Sequence, residues 1–284
     1  MSSVNRYRST AALSLVVCLC CSIVMANDRD DVTQVLKQKS YLTFGFLPME
    51  SPVALFKRFA PLRDYLATQI QQEIRMETAK NFGEFSKRTS QRQYDIVFTA
   101  PHMALQALDG NDYEVAATFT KPLKSVFVVK EKSAIQNVQD LESKTIATPP
   151  NKAIVTMVGR KYLDSNGLKG VQYSAYQTHN AAYSAVLGGE VDAAVISNFI
   201  AMKAISENAA LKIVAQSKPF PGIGILVAKD LPELQKQDIK KAIWGMRDLP
   251  HGRAILKTIA QPGYIEADKN QFEVLRPFVQ AAMP

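Results

Sequence analysis

The 284-residue chain carries 34 Lys and Arg against 26 Asp and Glu, a formal net charge of +8, and its 47% of hydrophobic residues is ordinary for a globular protein. Its 3 cysteines, Cys18, Cys20 and Cys21, all fall near the N-terminus, so the remainder forms no disulfide framework, thiolate nucleophile or cysteine-ligated metal centre. The basic residues are scattered among acids and do not interleave with aromatics, which argues against a nucleic-acid surface.

Residues 1–26 read as a cleaved targeting segment: Arg6 and Arg8 supply the positive region, residues 11–24 the apolar run, and Val24-Met25-Ala26 the cleavage site. The run is too short, and too promptly followed by Asn27-Asp28-Arg29-Asp30-Asp31, for a membrane span. Lipidation of a cysteine is the alternative, although none follows the small residue that such a site wants. An exported, periplasmic protein is the expectation.

Residues 41–47 then read as a strand, broken by Pro48-Met49-Glu50-Ser51-Pro52. Helical spacing over 54–72 (Leu55, Phe59, Leu62, Leu66, Ile70) precedes a strand at 74–78 and a short helix at 82–92. The strand at 94–99 ends in Thr99-Ala100-Pro101-His102 and passes straight into a helix over 102–108. This β-α-β-α-β-α order predicts a mostly parallel sheet flanked by helices. Strands at 115–120 and 125–129 lead the chain away. A second series follows: a short helix at 137–141, a strand at 145–147, a helix ending near Asn166-Gly167, a strand at 172–176, and a helix ending at Gly188-Gly189. The strand at 191–196 meets Ser197-Asn198-Phe199 and a helix over 200–207, a corner of the same design as the one at Thr99. Strands at 211–215 and 224–228 flank Lys218-Pro219-Phe220-Pro221-Gly222, a natural second crossing, and the rest reads as helical.

This layout predicts an α/β fold of two lobes joined by two crossover strands: lobe one at 27–124, lobe two at 125–220, and a return to lobe one with C-terminal helices at 221–284. Open α/β sheets receive ligands at the carboxyl ends of their strands, and two hinged lobes close around a ligand.

The chain resembles the periplasmic solute-binding proteins of phosphonate, phosphite and phosphate ABC importers, which are type II binding proteins. The resemblance spans nearly all the chain beyond the targeting segment. It rests on Phe44-Gly45-Phe46 followed by Glu50-Ser51, the Tyr94-Asp95-Ile96 corner, residues 141–150, Thr178-His179-Asn180 leading to Gly189-Glu190-Val191-Asp192-Ala193-Ala194, and residues 218–222 ahead of a strand. It implies capture of a small ligand by lobe closure and delivery to an inner-membrane permease, without catalysis or a cofactor, by a monomer. A sensory module signalling to a membrane kinase or cyclase is the alternative, and an exported enzyme a more distant one. The family's histidine matches His179. Its Ser-Thr-Ser-type turn reads Pro150-Asn151-Lys152-Ala153 here, with no hydroxyl until Thr156. Phe199 and the region of Ile223 stand where the family has carboxylates for an aminoalkyl group, and Phe82 and Leu123 replace two aromatic positions. The resemblance therefore implies an anionic ligand without an aminoalkyl tail.

Four corners are candidate contacts, because helix N-termini with free N–H groups attract anions. These are Glu50-Ser51, Thr99 with Pro101 and His102, Asn151-Lys152, and Thr178-His179-Asn180. Lys152 is either a point charge for an anion or a solvated loop lysine, and His102 and His179 are either ligand contacts or helix caps. Thr99, Ser197 and Asn198 either donate to a ligand or cap local turns. Glu50 more simply favours the following helix N-terminus, and Phe82 and Phe199 line the cleft or belong to the core. His102 and His179 lack a third ligand, which makes a metal pair a weak reading. There is no Gly-x-Ser-x-Gly elbow, phosphate loop or His-Glu-x-x-His.

Overall fold

Residues 42–46 are all buried, and such an uninterrupted run marks a strand covered on both faces. This is β1 (Tyr41–Phe46) in a computed structural model that describes residues 40–282. Residues 1–26, read above as a targeting segment, and the cysteines within them lie outside the described residues. The contacts of the chain divide it at Ser40, and the elements described belong to the unit beginning at Tyr41.

Helix α1 (Pro52–Ile70) starts where Pro52 takes a first-turn position that needs no N–H and the Ser51 side chain accepts from the Ala54 N–H at 3.4 Å. Its apolar stripe, Leu55, Phe59, Leu62 and Leu66, is fully buried against the sheet. There follow β2 (Glu73–Glu77), α2 (Phe82–Ser90), β3 (Ile96–Thr99), α3 (Pro101–Asp109) and β4 (Tyr113–Phe119). The second series is β5 (Ser125–Lys130), β6 (Thr145–Thr148), α4 (Ile154–Ser165), β7 (Gln172–Ala175), α5 (His179–Gly188), β8 (Ala193–Ser197), α6 (Asn198–Ser206) and β9 (Leu211–Gln216). The chain ends with β10 (Gly224–Ala228), α7 (Glu233–Gly245), α8 (Pro250–Thr258), β11 (Tyr264–Ile265), a 3-10 segment (Lys269–Leu275) and α9 (Arg276–Ala282).

The strands form two sheets, ordered β11-β4-β10-β3-β1-β2 and β7-β6-β8-β5-β9. Each has a parallel part, β2-β1-β3 in the first and β7-β6-β8 in the second. The sheets are mixed rather than mostly parallel. β10 runs antiparallel to both β3 and β4, β11 antiparallel to β4, and β5 antiparallel to both β8 and β9. The cause is the double crossing, since β5 and β10 begin at the junction between the sheets and run against the strands that end there. Periodicity along one strand carries no direction for its neighbour, so the sequence pattern does not register this. The short strand β11 interrupts a tail that the pattern reads as wholly helical; it pairs Tyr264 with Phe119.

Two positions show why particular residues are required. A side chain on Gly45 would come within 2.5 Å of the Tyr94 ring, so only glycine lets β1 pass that buried aromatic. Gly189 ends α5 with φ of 80°, the left-handed conformation that favours glycine there. Asp95 is structural: its buried carboxylate accepts from the Thr43 N–H at 2.8 Å and hydroxyl at 2.9 Å, locking β1 to β3 away from the strands' carboxyl ends.

The two sheets are tied at the crossings. Leu123 and Phe220 exchange backbone hydrogen bonds of 2.9 Å in each direction, and both side chains are buried with Ile154, Val155 and Leu275. Phe199, at the start of α6, meets Phe119 of the first sheet edge-on at 5.7 Å.

Candidate functional site

Pairing register places each crossing beside one of the polar corners. In the first sheet Gly224, where the second crossing ends, lies opposite Thr99 at the carboxyl end of β3. In the second, Ser125, where the first crossing ends, lies opposite Ser197 at the carboxyl end of β8. The strand ends that face a ligand in open α/β folds are therefore also the ends nearest the crossings.

At the first corner Pro101 is the buried first residue of α3. His102 follows and is fully buried, with neither ring nitrogen hydrogen-bonded. It is not a helix cap, because Ala100 occupies that position without a side-chain bond. Burial pushes its pKa down to about 4, opposed only by the Lys152 backbone, which approaches the ring. A residue of α3, on the first sheet, thus faces the loop before α4, on the second. Thr99 is buried and its hydroxyl is unpaired. It borders a cavity of about 20 Å³ with Phe85, Thr89 and Met103. That is room for one water rather than an anion.

At the second corner the histidine reading gains a defined chemistry. His179 opens α5, and its Nδ1 accepts the Ser197 N–H at 3.2 Å. Burial lowers its pKa to about 4, so the ring is neutral near pH 7 and carries its proton on Nε2. Cap duty falls to the preceding residue, since the Thr178 hydroxyl accepts from the Ala181 N–H at 3.1 Å. Asn180 is exposed.

Several candidates are engaged elsewhere. Glu50 pairs with Arg58 at 2.5 Å, two turns into α1, rather than serving the helix N-terminus. Ser51 is the α1 cap. Phe82 packs against the cluster containing Phe85, Met103 and Leu105, which makes it core. The exposed Asn151 accepts from Arg160 Nη2 at 2.8 Å. Thr156 donates to the Pro149 carbonyl at 3.2 Å and closes the turn before α4. The Ser197 hydroxyl caps α6 by accepting from the Phe199 N–H at 3.2 Å. Asn198 is a fastener for the first crossing: Oδ1 accepts from the Lys124 N–H at 2.9 Å and Nδ2 donates to the Pro122 carbonyl at 3.3 Å. Lys152 is partly exposed and engaged.

Thr148, at the carboxyl end of β6, escapes sequence reasoning. It is fully buried and its hydroxyl has no partner. The available signal was its place as the last strand residue before Pro149-Pro150, the same place that Thr99 and Ser197 hold in β3 and β8. No group of three or more His, Cys, Asp or Glu able to hold a metal occurs among the described residues. Among them, too, no helix is long and apolar enough to cross a membrane.

Three hydrogen-bonding groups thus lie at the carboxyl ends of strands in the two sheets, His102, Thr148 and His179, none of them charged near neutral pH. Lys152 and the N-termini of α3 to α6 add positive potential.

Residues 44–272 match the family described as the periplasmic substrate-binding protein of a phosphonate ABC transporter. Among solved structures, PhnD1 from Prochlorococcus marinus in complex with methylphosphonate is 18% identical with a TM-score of 0.75, covering 85% of this chain and 98% of that one. A binding protein component of a phosphonate ABC transporter from Pseudomonas aeruginosa is 16% identical (TM-score 0.70; 85% and 86% covered). A Xanthomonas citri protein bound to ATP is 15% identical (TM-score 0.69; 86% and 98% covered). At these identities the likeness to the solved structures is one of fold: two mixed sheets with flanking helices, the type II binding-protein architecture.

Proposed function

The chain belongs to the periplasmic substrate-binding proteins of phosphonate ABC transporters, and from that premise we propose that it captures a small phosphorus oxyanion lacking an aminoalkyl tail. Residues 41–124 with 221–282 act as one lobe and residues 125–220 as the other, hinged at the two crossings. His102, Thr148 and His179 contact the anion, and Lys152 attracts it. The mature protein, released after Ala26, works as a monomer and hands the ligand to an inner-membrane permease without chemically altering it.

The observation that carries this reading is a pair of buried polar groups at strand ends of different sheets, Thr148 with no partner and His102 with only the Lys152 backbone beside its ring. Each unmet buried group costs about 1–3 kcal/mol, a deficit that a bound oxyanion removes. Phe199 and Ile223, where the resemblance places carboxylates for an amino group, support the exclusion of aminoalkyl ligands.

Thermal unfolding of the mature protein with methylphosphonate, phosphite, phosphate or 2-aminoethylphosphonate tests it. A ligand at a hundredfold excess over Kd stabilises by about 2.7 kcal/mol. The first three ligands, or a subset of them, should raise Tm, and the aminoalkyl compound should not. An unmoved Tm with all of them defeats the proposal.

A further inference from the structure

Resting on the oxyanion-capture reading above, we infer that His102 makes the site selective for an oxyanion that still carries a proton, a singly protonated phosphonate, phosphite or phosphate, over a fully ionised sulfate or sulfonate.

The surroundings of the ring fix its charge. His102 is fully buried and neither nitrogen is hydrogen-bonded. Ionisable residues on the elements packed against α3 are occupied or solvated. On α2, Glu84 pairs with Arg88 and Lys87 is exposed. In the 3-10 segment and α9, Lys269 and Arg276 pair with Asp109, and Arg276 also with Glu273. On β4, Glu114 pairs with Lys236 and Lys240, and β10 has no charged residue. From the second sheet Lys152 approaches through its backbone. With no carboxylate beside it, the buried ring is neutral, and its pKa of about 4 agrees.

A neutral imidazole is one donor and one acceptor. An occupant that satisfies both nitrogens must therefore bring an acceptor and a donor. Sulfate and sulfonates near neutral pH bring acceptors alone, so one of their oxygens would face the bare nitrogen lone pair. Phosphorus oxyanions ionise a second time near neutrality and bring an O–H until they do. If the Lys152 carbonyl takes the ring N–H, the nitrogen left for the ligand is the acceptor, and the demand for an O–H tightens. Thr148 cannot discriminate, because its hydroxyl rotates to donate to any oxyanion. The Nε2–H of His179 donates to either class. His102 alone among these groups sets the proton requirement.

Calorimetric titrations at fixed ionic strength test this with methylphosphonate, phosphite, sulfate and methanesulfonate over roughly pH 6 to 9. In the native protein the phosphorus ligands should bind at least about a hundredfold more tightly than the sulfur ligands. Above their second ionisation, their Kd should rise about tenfold per pH unit, while the sulfur ligands report any slope that comes from the protein. His102→Leu should flatten that rise and bring the two classes within about tenfold. His102→Gln, whose amide offers both a donor and an acceptor, should keep the preference at weaker affinity, and it carries the test if the leucine variant does not fold. Comparable binding of all four ligands overturns this inference and leaves oxyanion capture standing, as does a pH slope that survives in folded His102→Leu. Absence of binding by all four overturns the capture reading and this inference together.

Discussion

Acid should destabilise the ligand-free protein by more than its carboxylates account for, and His102 is the reason. An imidazole in an unfolded chain titrates near its ordinary 6.5, whereas burial holds this ring at about 4. Above pH 6.5 both states are neutral there and nothing is lost. As pH falls below 6.5 the unfolded chain binds a proton that the native ring refuses, and the penalty grows until the native ring also titrates. The interval from 6.5 to about 4, at about 1.4 kcal/mol per pH unit, gives a loss of about 3 kcal/mol. His102 is fully buried, so solvent screening does not reduce this figure. His179 shifts in the same direction but is partly exposed and adds less. The single tryptophan is a convenient reporter: Trp244 is half-buried, its Nε1–H bonded to the Ala116 carbonyl at 2.8 Å. Guanidinium unfolding followed by its fluorescence, in phosphate-free buffer, should be compared at about pH 7.5 and about pH 4.5 for the native protein and His102→Gln. The glutamine variant should lose about 2–3 kcal/mol less over this interval, since the carboxylate contribution is common to both. If the two proteins lose stability within about 0.5 kcal/mol of each other, the ring is not held neutral by burial and the reasoning fails.

Three further outcomes are expected from the same contacts. Thr148→Val removes a buried hydroxyl that has no partner, so ligand-free stability should stay level or rise by up to about 1 kcal/mol while oxyanion affinity falls, as read by Tm and calorimetry. Asn198→Ala cuts two bonds to the first crossing and should cost about 1–3 kcal/mol in denaturant unfolding; an unchanged midpoint would show that the crossing is held by other means. Asn151→Ala should leave oxyanion affinity within about twofold, because its side chain serves Arg160 on an exposed loop; a loss of tenfold or more would return it to the site.

The sequence was most legible where one physical rule acts over a short stretch. The buried run of β1, the stripe Leu55-Phe59-Leu62-Leu66, the glycine stop at Gly189 and the corners at Thr99 and Ser197 are local patterns, and each element lies within a few residues of where they put it. The candidate site was less legible for a reason visible in Ser51, Thr178 and Ser197. Short polar side chains at a helix start suit both anion binding and capping, and the sequence does not separate the two uses. Here all three serve as caps. Asn198 lost its candidacy through a bond to a residue 74 positions earlier in the chain, and Thr148 went unnoticed because only three-dimensional packing leaves its hydroxyl without a partner.

What the chain determined by itself, then, is the order of its strands and helices and the polar corners at which they meet, because hydrophobic period and turn chemistry act between near neighbours. Tertiary structure decided the antiparallel entry of β5 and β10, which polar corners spend their side chains on capping, and the burial that keeps His102 and His179 uncharged. Those outcomes depend on which distant segments exclude water from a group. Desolvation is a property of the folded surroundings and has no counterpart in the spacing of residues along the chain.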